Sequence, residues 1–223
     1  MAFRIFIADD HEVVRKGLIS LLQSQPDWEV CGEAGDGREA VEKASELKPD
    51  AVILDIGMPS LNGLEATRQI LKNDSGARIL ILTLHDSDSV VREVLNAGAR
   101  GFLLKSDAAR DLVAAVEALR RDKTYFTSKV AAMVLEGYLK GGTVPSPAHV
   151  GRNRLTPRER EIVQLLAEGK STKEVAVALG LSVKTAETHR SNIMRKLQIH
   201  SVSDLVLYAV RNNIVHIVQP ALE

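Results

Sequence analysis

Ala51-Val-Ile-Leu54, followed at once by Asp55-Ile-Gly-Met-Pro59, is the stretch whose reading decides the fold. Four consecutive apolar residues without polar alternation describe a strand buried on both faces, as in the middle of a parallel sheet. Similar short runs stand on either side, at Phe3–Ala8, Glu29–Ala34, Arg78–Leu82 and Gly101–Leu104. Between them, apolar residues recur three or four apart: Val14, Leu18, Leu21 and Leu22, then Ala40–Leu47, Leu64–Leu71, Val90–Ala97 and Leu112–Leu119. Five strands alternating with five helices predict an α/β domain, a doubly wound five-stranded parallel sheet covered on both faces.

The alternation stops after Arg121. Ser128–Lys140 is compatible with one more helix, and Gly141-Gly-Thr-Val-Pro-Ser-Pro147 reads as a linker. Beyond Leu155 the pattern is helical throughout. Thr156 caps a helix with Pro157 at its first position, and Ser171-Thr-Lys-Glu174 is a capping box whose helix ends near Gly180. Ser182 caps a helix to about Leu197 and Ser203 another to about Asn212. The expected layout is a first domain over 1–122, a connecting segment over 123–152 and a small all-α four-helix domain over 153–223.

With 223 residues, 45% hydrophobic and 26% charged, one large globular domain or two modest ones would fit. Residues 1–150 carry 18 Lys and Arg against 22 Asp and Glu, whereas residues 151–223 carry 11 against 7. A basic module joined to an acidic one fits this split, and so does ordinary fluctuation. The single cysteine, Cys31, excludes an intramolecular disulfide and a cysteine zinc cage. No apolar run approaches the roughly 20 residues of a membrane span. The apolar run near the N-terminus stops at two aspartates rather than at a small-residue cleavage site, so a cytoplasmic protein is expected.

Functional groups of an open parallel sheet gather beyond the carboxyl ends of its strands. Here those ends carry Asp9 and Asp10, Asp55, Thr83 and Lys105. Three converging carboxylates repel unless a cation sits among them, and oxygen-only donors favour Mg²⁺. Such a group suits phosphoryl transfer with Asp55 as nucleophile, the cation and Lys105 neutralising charge and Thr83 donating a hydrogen bond. Each residue also has an ordinary reading. Asp9 and Asp10 could cap a helix, Asp55 could begin a turn, Thr83 could be a strand residue and Lys105 a solvated strand end. The coincidence of all of them favours the chemical one.

In order and spacing, Phe3-Arg-Ile-Phe-Ile-Ala-Asp9-Asp10-His-Glu, Leu54-Asp55-Ile-Gly-Met-Pro59, Leu82-Thr83-Leu-His85 and Gly101-Phe102-Leu-Leu-Lys105 resemble the receiver domain of two-component response regulators. The resemblance implies a flavodoxin-like receiver in which Asp55 is the phosphoacceptor and Asp10, Asp55 and the Gly57 carbonyl bind Mg²⁺ directly. It also implies that Asp9 acts on the metal's water shell, that Thr83 and Lys105 close on the phosphoryl group, and that Phe102 is the switch aromatic. Gly57 and His85 would face the attacking water. Receivers commonly place proline after the lysine, often with a cis bond; here Ser106 follows, and a cis bond without proline costs about 2.5–4 kcal/mol.

In Ser182–Leu197 one stripe is apolar (Val183, Ala186, Ile193, Leu197), while Lys184, Thr188, Ser191 and Arg195 form a polar stripe with Glu187 beside it. A capped helix and a short turn precede it, which is helix-turn-helix spacing, although the stripe alone also describes a solvated amphipathic helix. His189 has no partner at metal-ligand spacing. Leu155-Thr-Pro-Arg-Glu-Arg-Glu161, Leu165-Leu-Ala-Glu-Gly169, Lys173-Glu-Val-Ala176 and Leu181-Ser-Val-Lys-Thr-Ala-Glu-Thr-His-Arg190 resemble the LuxR-type DNA-binding domain. Together the two modules resemble the NarL/FixJ subfamily of response regulators. That resemblance implies base contacts from Lys184, Glu187, Thr188 and Ser191, and phosphate contacts from Arg190 and Lys196. It further implies double-stranded DNA and a cognate sensor histidine kinase as partners, a homodimer when phosphorylated, and dimerisation through the last helix.

Two other functions fit the pattern less well. An aspartyl-phosphate phosphatase usually carries a second acid two residues after the nucleophile, where this chain has Gly57, and no P-loop or Gly-x-Ser-x-Gly elbow is present, so no enzyme is expected. A phosphate-independent dimerising receiver would have no use for all the pocket residues. The basic module is compatible with RNA, but it lacks the exposed aromatic pairs of single-strand binders.

Overall fold

The computed structural model describes residues 1–84, 87–127, 130 and 155–215. It divides into two compact units, Met1–His149 and Val150–Glu223. The helix expected over 128–140, apart from Val130, and the segment 141–147 lie outside the described residues, as does His85.

In the first unit β1 (Phe3–Ala8), β2 (Trp28–Ala34), β3 (Ala51–Asp55), β4 (Ile79–Thr83) and β5 (Gly101–Leu104) form one sheet in the order β2-β1-β3-β4-β5. Every pairing is parallel. Five helices alternate with them: α1 (Glu12–Gln23), α2 (Gly37–Leu47), α3 (Gly63–Asn73), α4 (Asp88–Ala97) and α5 (Ala108–Arg120). Successive side chains on a strand point to opposite faces, so each strand feeds two cores. Ile5, Ile7, Ile53, Leu80, Leu82 and Leu103 pack with Leu18 and Leu22 of α1 and Leu112, Val116 and Leu119 of α5. Phe6, Val52, Leu54, Ile79, Ile81 and Phe102 pack on the other face with residues of α2, α3 and α4. All residues of β3 and β4 are buried, as the unbroken apolar runs require.

The sheet extends one residue further than the apolar pattern shows. Tyr125, beyond α5, makes a parallel bridge to Gly101, with the Phe102 N–H donating to the Tyr125 carbonyl at 2.9 Å. Phe126 packs against the core that contains Phe102, and Val130 is buried within it.

The second unit contains α6 (Pro157–Ala167), α7 (Thr172–Ala178), α8 (Val183–Leu197) and α9 (Val202–Arg211), around a core of Leu155, Ile162, Val163, Leu166, Val175, Ile193, Leu205 and Ala209. Thr156 and Ser171 both make complete capping boxes, with Glu159 and Glu174. The α7–α8 turn needs Gly180, whose φ of +62° is a conformation that side chains with a Cβ avoid. The last helix begins earlier than expected. Its cap is Ser201, not Ser203, because the Ser201 hydroxyl accepts from the Asp204 N–H, placing an acid at the third helical position. Among the described residues no helix is long and apolar enough to cross a membrane.

Candidate functional site

Each pocket residue sits where a strand runs out. β1 ends at Ala8, and the Asp9 N–H that follows donates to the Ala34 carbonyl, turning the Asp9 side chain into the protein at 0% exposure. Arg15 fixes this bend, donating to the Asp9 carbonyl at 2.7 Å while pairing with Glu33 at 2.8 Å. Asp55 is the last residue of β3 and is 4% exposed. Behind it α3 begins with Gly63, where a Cβ would overlap the Asp55 carbonyl, so only glycine allows this approach. Asn62 caps that helix by accepting from the Glu65 N–H.

Lys105 reaches in from the end of β5 and joins the carboxylates: its Nζ lies 2.8 Å from Asp9 Oδ2 and 3.0 Å from Asp55 Oδ2. Asp10 and His11 stand at the exposed mouth, with His11 Nδ1 2.6 Å from Asp10 Oδ1. Register places Thr83 opposite Leu104 and Ile81 opposite Phe102, so Thr83 shares a face with Phe102. Both are buried, and α4 covers Phe102 with Val90, Val91 and Val94. Lys105 opens a short 3₁₀ turn, Lys105–Asp107, and among the described residues no peptide bond is cis, so Lys105–Ser106 is trans. Gly57 lies in the turn after Asp55.

The electrostatics show a pocket short of positive charge. Burial lifts the Asp55 carboxyl above its ordinary range; Lys105 opposes this, while Asp9 and Asp10 add to it. Burial also works against the Lys105 ammonium, yet Asp55 and Asp9 outweigh it and hold that group above its ordinary value. Asp9 Oδ2 accepts no well-directed hydrogen bond among the described residues although it is fully buried, and the Lys105 ammonium lies 2.8 Å from it. Ligand atoms of Asp9, Asp10, His11 and Asp55 all lie within 4.8 Å of one another. An under-neutralised set dominated by carboxylate oxygens, buried at Asp9 and Asp55 and open at Asp10, fits a hard divalent cation.

In the second unit Lys184, Glu187, Thr188 and Ser191 all lie exposed on α8, with Asn192 and Arg195 beside them. Arg195 donates to Asn192 at 2.8 Å, a neighbour that the stripe pattern does not single out because asparagine fits either face of a helix. Ala186 and Ile193 are buried as expected, but Val183, in the first turn of the helix, is 39% exposed. Arg190 and Lys196 are half-buried and bonded within the unit. Arg190 donates to the Thr172 hydroxyl, and Lys196 lies 2.6 Å from Glu159 Oε2.

Burial opposes ionisation of Glu159, but Lys196 and the Thr156 N–H hold its carboxyl below the usual value of 4.5. A depressed acid stabilises the fold above its unfolded pKa and loses that contribution as pH falls through the folded one. Glu159→Gln is therefore expected to lower the thermal midpoint at neutral pH, with the deficit against wild type closing below pH 4.5. Melts of both full chains across that range check it, and a constant gap would show that the Lys196 pair contributes nothing.

Comparison with known proteins agrees with this division. The model of the response regulator receiver domain matches residues 5–117, and that of the bacterial regulatory proteins of the luxR family matches residues 153–209. The transcriptional regulatory protein LiaR of Bacillus subtilis is 40% identical over 213 residues, spanning 96% of this chain and 99% of LiaR. The response regulator protein VraR of Staphylococcus aureus is 37% identical over 96% of this chain and 100% of its own length. Among solved structures, the RcsB response regulator of Salmonella typhimurium gives a TM-score of 0.62 at 26% identity, covering 95% of this chain and 98% of that one. A complex of the two-component response regulator RcsB with DNA gives 0.57 at 26% identity, covering 95% and 99%. With a receiver and a LuxR-type module in the same order and over the same length as these relatives, the chain belongs to the NarL/LuxR family of two-component response regulators.

Proposed function

We propose that this protein is a DNA-binding transcriptional regulator switched by phosphorylation of Asp55, with the receiver over 1–122, a connecting segment over 123–152 and the DNA-binding domain over 153–223. The observation that carries the reading is Lys105 bridging two buried carboxylates, one of them at the end of the central strand. A carboxylate oxygen of Asp55 attacks the phosphorus of a phosphohistidine on the sensor kinase, or of a small acyl phosphate. The bond to the donor breaks, its electron pair leaves with the donor, and an acyl phosphate forms on Asp55.

Asp10, Asp55 and the Gly57 carbonyl would hold Mg²⁺, with Asp9 on its water shell; bound there, the ion neutralises charge on the phosphoryl oxygens. Lys105, already 3.0 Å from Asp55, pairs with the transferred group, and the Thr83 hydroxyl donates to it. Because Thr83 shares a face with Phe102 under α4, drawing Thr83 inward repacks that face. The reading gives the receiver no second substrate to turn over, so it is not an enzyme in the metabolic sense, and it places the protein in the cytoplasm with its kinase.

Lys184, Glu187, Thr188 and Ser191 would read base edges in the major groove of double-stranded DNA, as their shared exposure on α8 allows. Arg190 and Lys196 would add phosphate contacts with the donors that Thr172 and Glu159 leave over. Exposed Val202 and Leu207 on α9 support pairing of two copies in the phosphorylated state.

Intact mass after incubation with acetyl phosphate and Mg²⁺ tests the receiver: one phosphoryl group per chain is expected. Its absence, together with no transfer from any sensor kinase, would sink the switch. Selection of DNA sites tests the helix. Glutamate accepts from cytosine N4, so Glu187→Gln, an amide suited to adenine, is expected to shift the preferred base with a discrimination of about 1–3 kcal/mol. An unchanged preferred site would remove Glu187 from the readout.

A further inference from the structure

We infer, on the phosphorylation reading above, that Tyr125 and Phe126 form a strap that grips β5 in the resting receiver and loosens when Asp55 is phosphorylated. β5 is the last strand of the sheet, so one of its edges faces no other strand. The strap lies along that edge. The Tyr125 N–H donates to the Arg100 carbonyl at 3.0 Å, and the Tyr125 carbonyl accepts from the Phe102 N–H at 2.9 Å. Its two rings straddle the sheet. Tyr125 packs on the core beside α1 and α5, and Phe126 on the opposite core, where Phe102 and Val130 are both 1% exposed. One segment thus holds Phe102 twice, through its backbone N–H and through the core that its ring shares with Phe126 and Val130.

Covering a bare edge accounts for the hydrogen bonds, but not for the return of Val130 to the core of the bonded residue. The root of the strap is fixed separately. Asp122, at φ +56°, pairs with Arg78 at 2.8 Å and Arg100 at 3.3 Å, the residues just before β4 and β5. Beyond that root the strap holds by a pair of backbone bonds and two partly buried rings, a unit small enough to open without the rest of the fold. Thr83 shares a face with Phe102, so drawing Thr83 toward a phosphoryl group shifts Phe102 within a close-packed core. Phe126 and Val130 pack in that same core and lose their fit when the ring moves. Release moves the start of the tether to the second unit from Phe126 back to Asp122, which lengthens its reach.

Amide exchange is read residue by residue in the full chain by nuclear magnetic resonance, with and without Mg²⁺ and beryllofluoride, a stable stand-in for the phosphoryl group. In wild type, beryllofluoride is expected to speed exchange at Tyr125 and Phe102 about tenfold, the worth of one backbone hydrogen bond, while amides inside β3 stay slow. Phe126→Ala is expected to exchange fast at both positions without beryllofluoride, and Phe126→Leu, which keeps the apolar contact, to resemble wild type. Coupling is reciprocal, so Phe126→Ala is also expected to bind beryllofluoride more tightly, by up to the same factor, as read from fluorine signals. A strap that merely covered the edge would leave that affinity unchanged. Slow β3 amides exclude general unfolding of the variant, and the wild-type comparison needs no variant. If wild type takes up beryllofluoride while both amides keep their rates, or if Phe126→Ala exchanges or binds as wild type does, the strap is not coupled to the pocket, although phosphorylation of Asp55 stands. If wild type takes up neither beryllofluoride nor a phosphoryl group from acetyl phosphate by intact mass, the phosphorylation reading fails and the strap with it.

Discussion

Asp55→Asn is expected to take phosphoryl uptake from one group per chain to none, and yet to make the metal-free receiver more stable. The first effect follows from the chemistry, because an amide oxygen does not attack phosphorus as a carboxylate does, and any phosphodonor-dependent gain in DNA affinity disappears with it. The second follows from the environment. Burial, with Asp9 and Asp10 nearby, raises the Asp55 carboxyl above its ordinary value of 3.8 despite Lys105. A raised acid binds its proton more tightly when folded, so the ionised group opposes folding at neutral pH. Asparagine keeps the volume without that charge, and Lys105 stays paired with Asp9. The thermal midpoint should therefore rise at neutral pH, and the difference should shrink as pH falls through the raised folded value and vanish below 3.8, where the carboxyl is protonated in folded and unfolded chains alike. Addition of Mg²⁺ should stabilise wild type more than the variant, which lacks one ligand. Intact mass and melts across pH check both parts. Continued uptake by the variant would move the acceptor elsewhere, and a lower midpoint would mean that Lys105 more than compensates the burial.

This opposition between function and stability bears on what the chain discloses before it is folded. The sheet was legible because β3 and β4 are buried on both faces and so cannot alternate; Ala51–Leu54 has one reading. The pocket was legible for a related reason: carboxylates at consecutive strand ends have no structural use that explains all of them. Tyr125 was not, because a one-residue bridge at a sheet edge is made by backbone groups and leaves no periodic trace. The cap of α9 was misplaced by two residues, since Ser201 and Ser203 offer the same hydroxyl and only Asp204, three residues on from Ser201, separates them. On α8, periodicity identified the exposed stripe but not the bonds of Arg190 and Lys196, whose partners Thr172 and Glu159 lie 18 and 37 residues away. The turn of the His11 ring toward Asp10 is not legible either, because a sequence position does not say which way a ring points at the head of a helix.

Lys105→Met is expected to be the most destabilising single change in the pocket. The Lys105 side chain is 8% exposed and meets Asp9 and Asp55, whose side chains are 0% and 6% exposed, so its removal leaves two buried carboxylates without their shared cation. Losing one partner of such a pair costs about 3–5 kcal/mol, because the remaining charge keeps its full desolvation penalty. For a unit of this size that is a fall in midpoint of roughly 10–20 °C. Methionine has nearly the length of lysine, so the loss reflects charge rather than a cavity. Two controls separate this cause from general disruption. Adding Asp9→Asn to Lys105→Met removes one of the two orphaned charges and should recover part of the loss, whereas Asp9→Asn in the wild type should cost less, since Lys105 keeps Asp55 at 3.0 Å. Mg²⁺ should rescue Lys105→Met more than it stabilises wild type, since a divalent ion supplies the charge the variant lacks. A Lys105→Met midpoint equal to that of wild type would mean that the Lys105 ammonium does not offset the burial of Asp9 and Asp55.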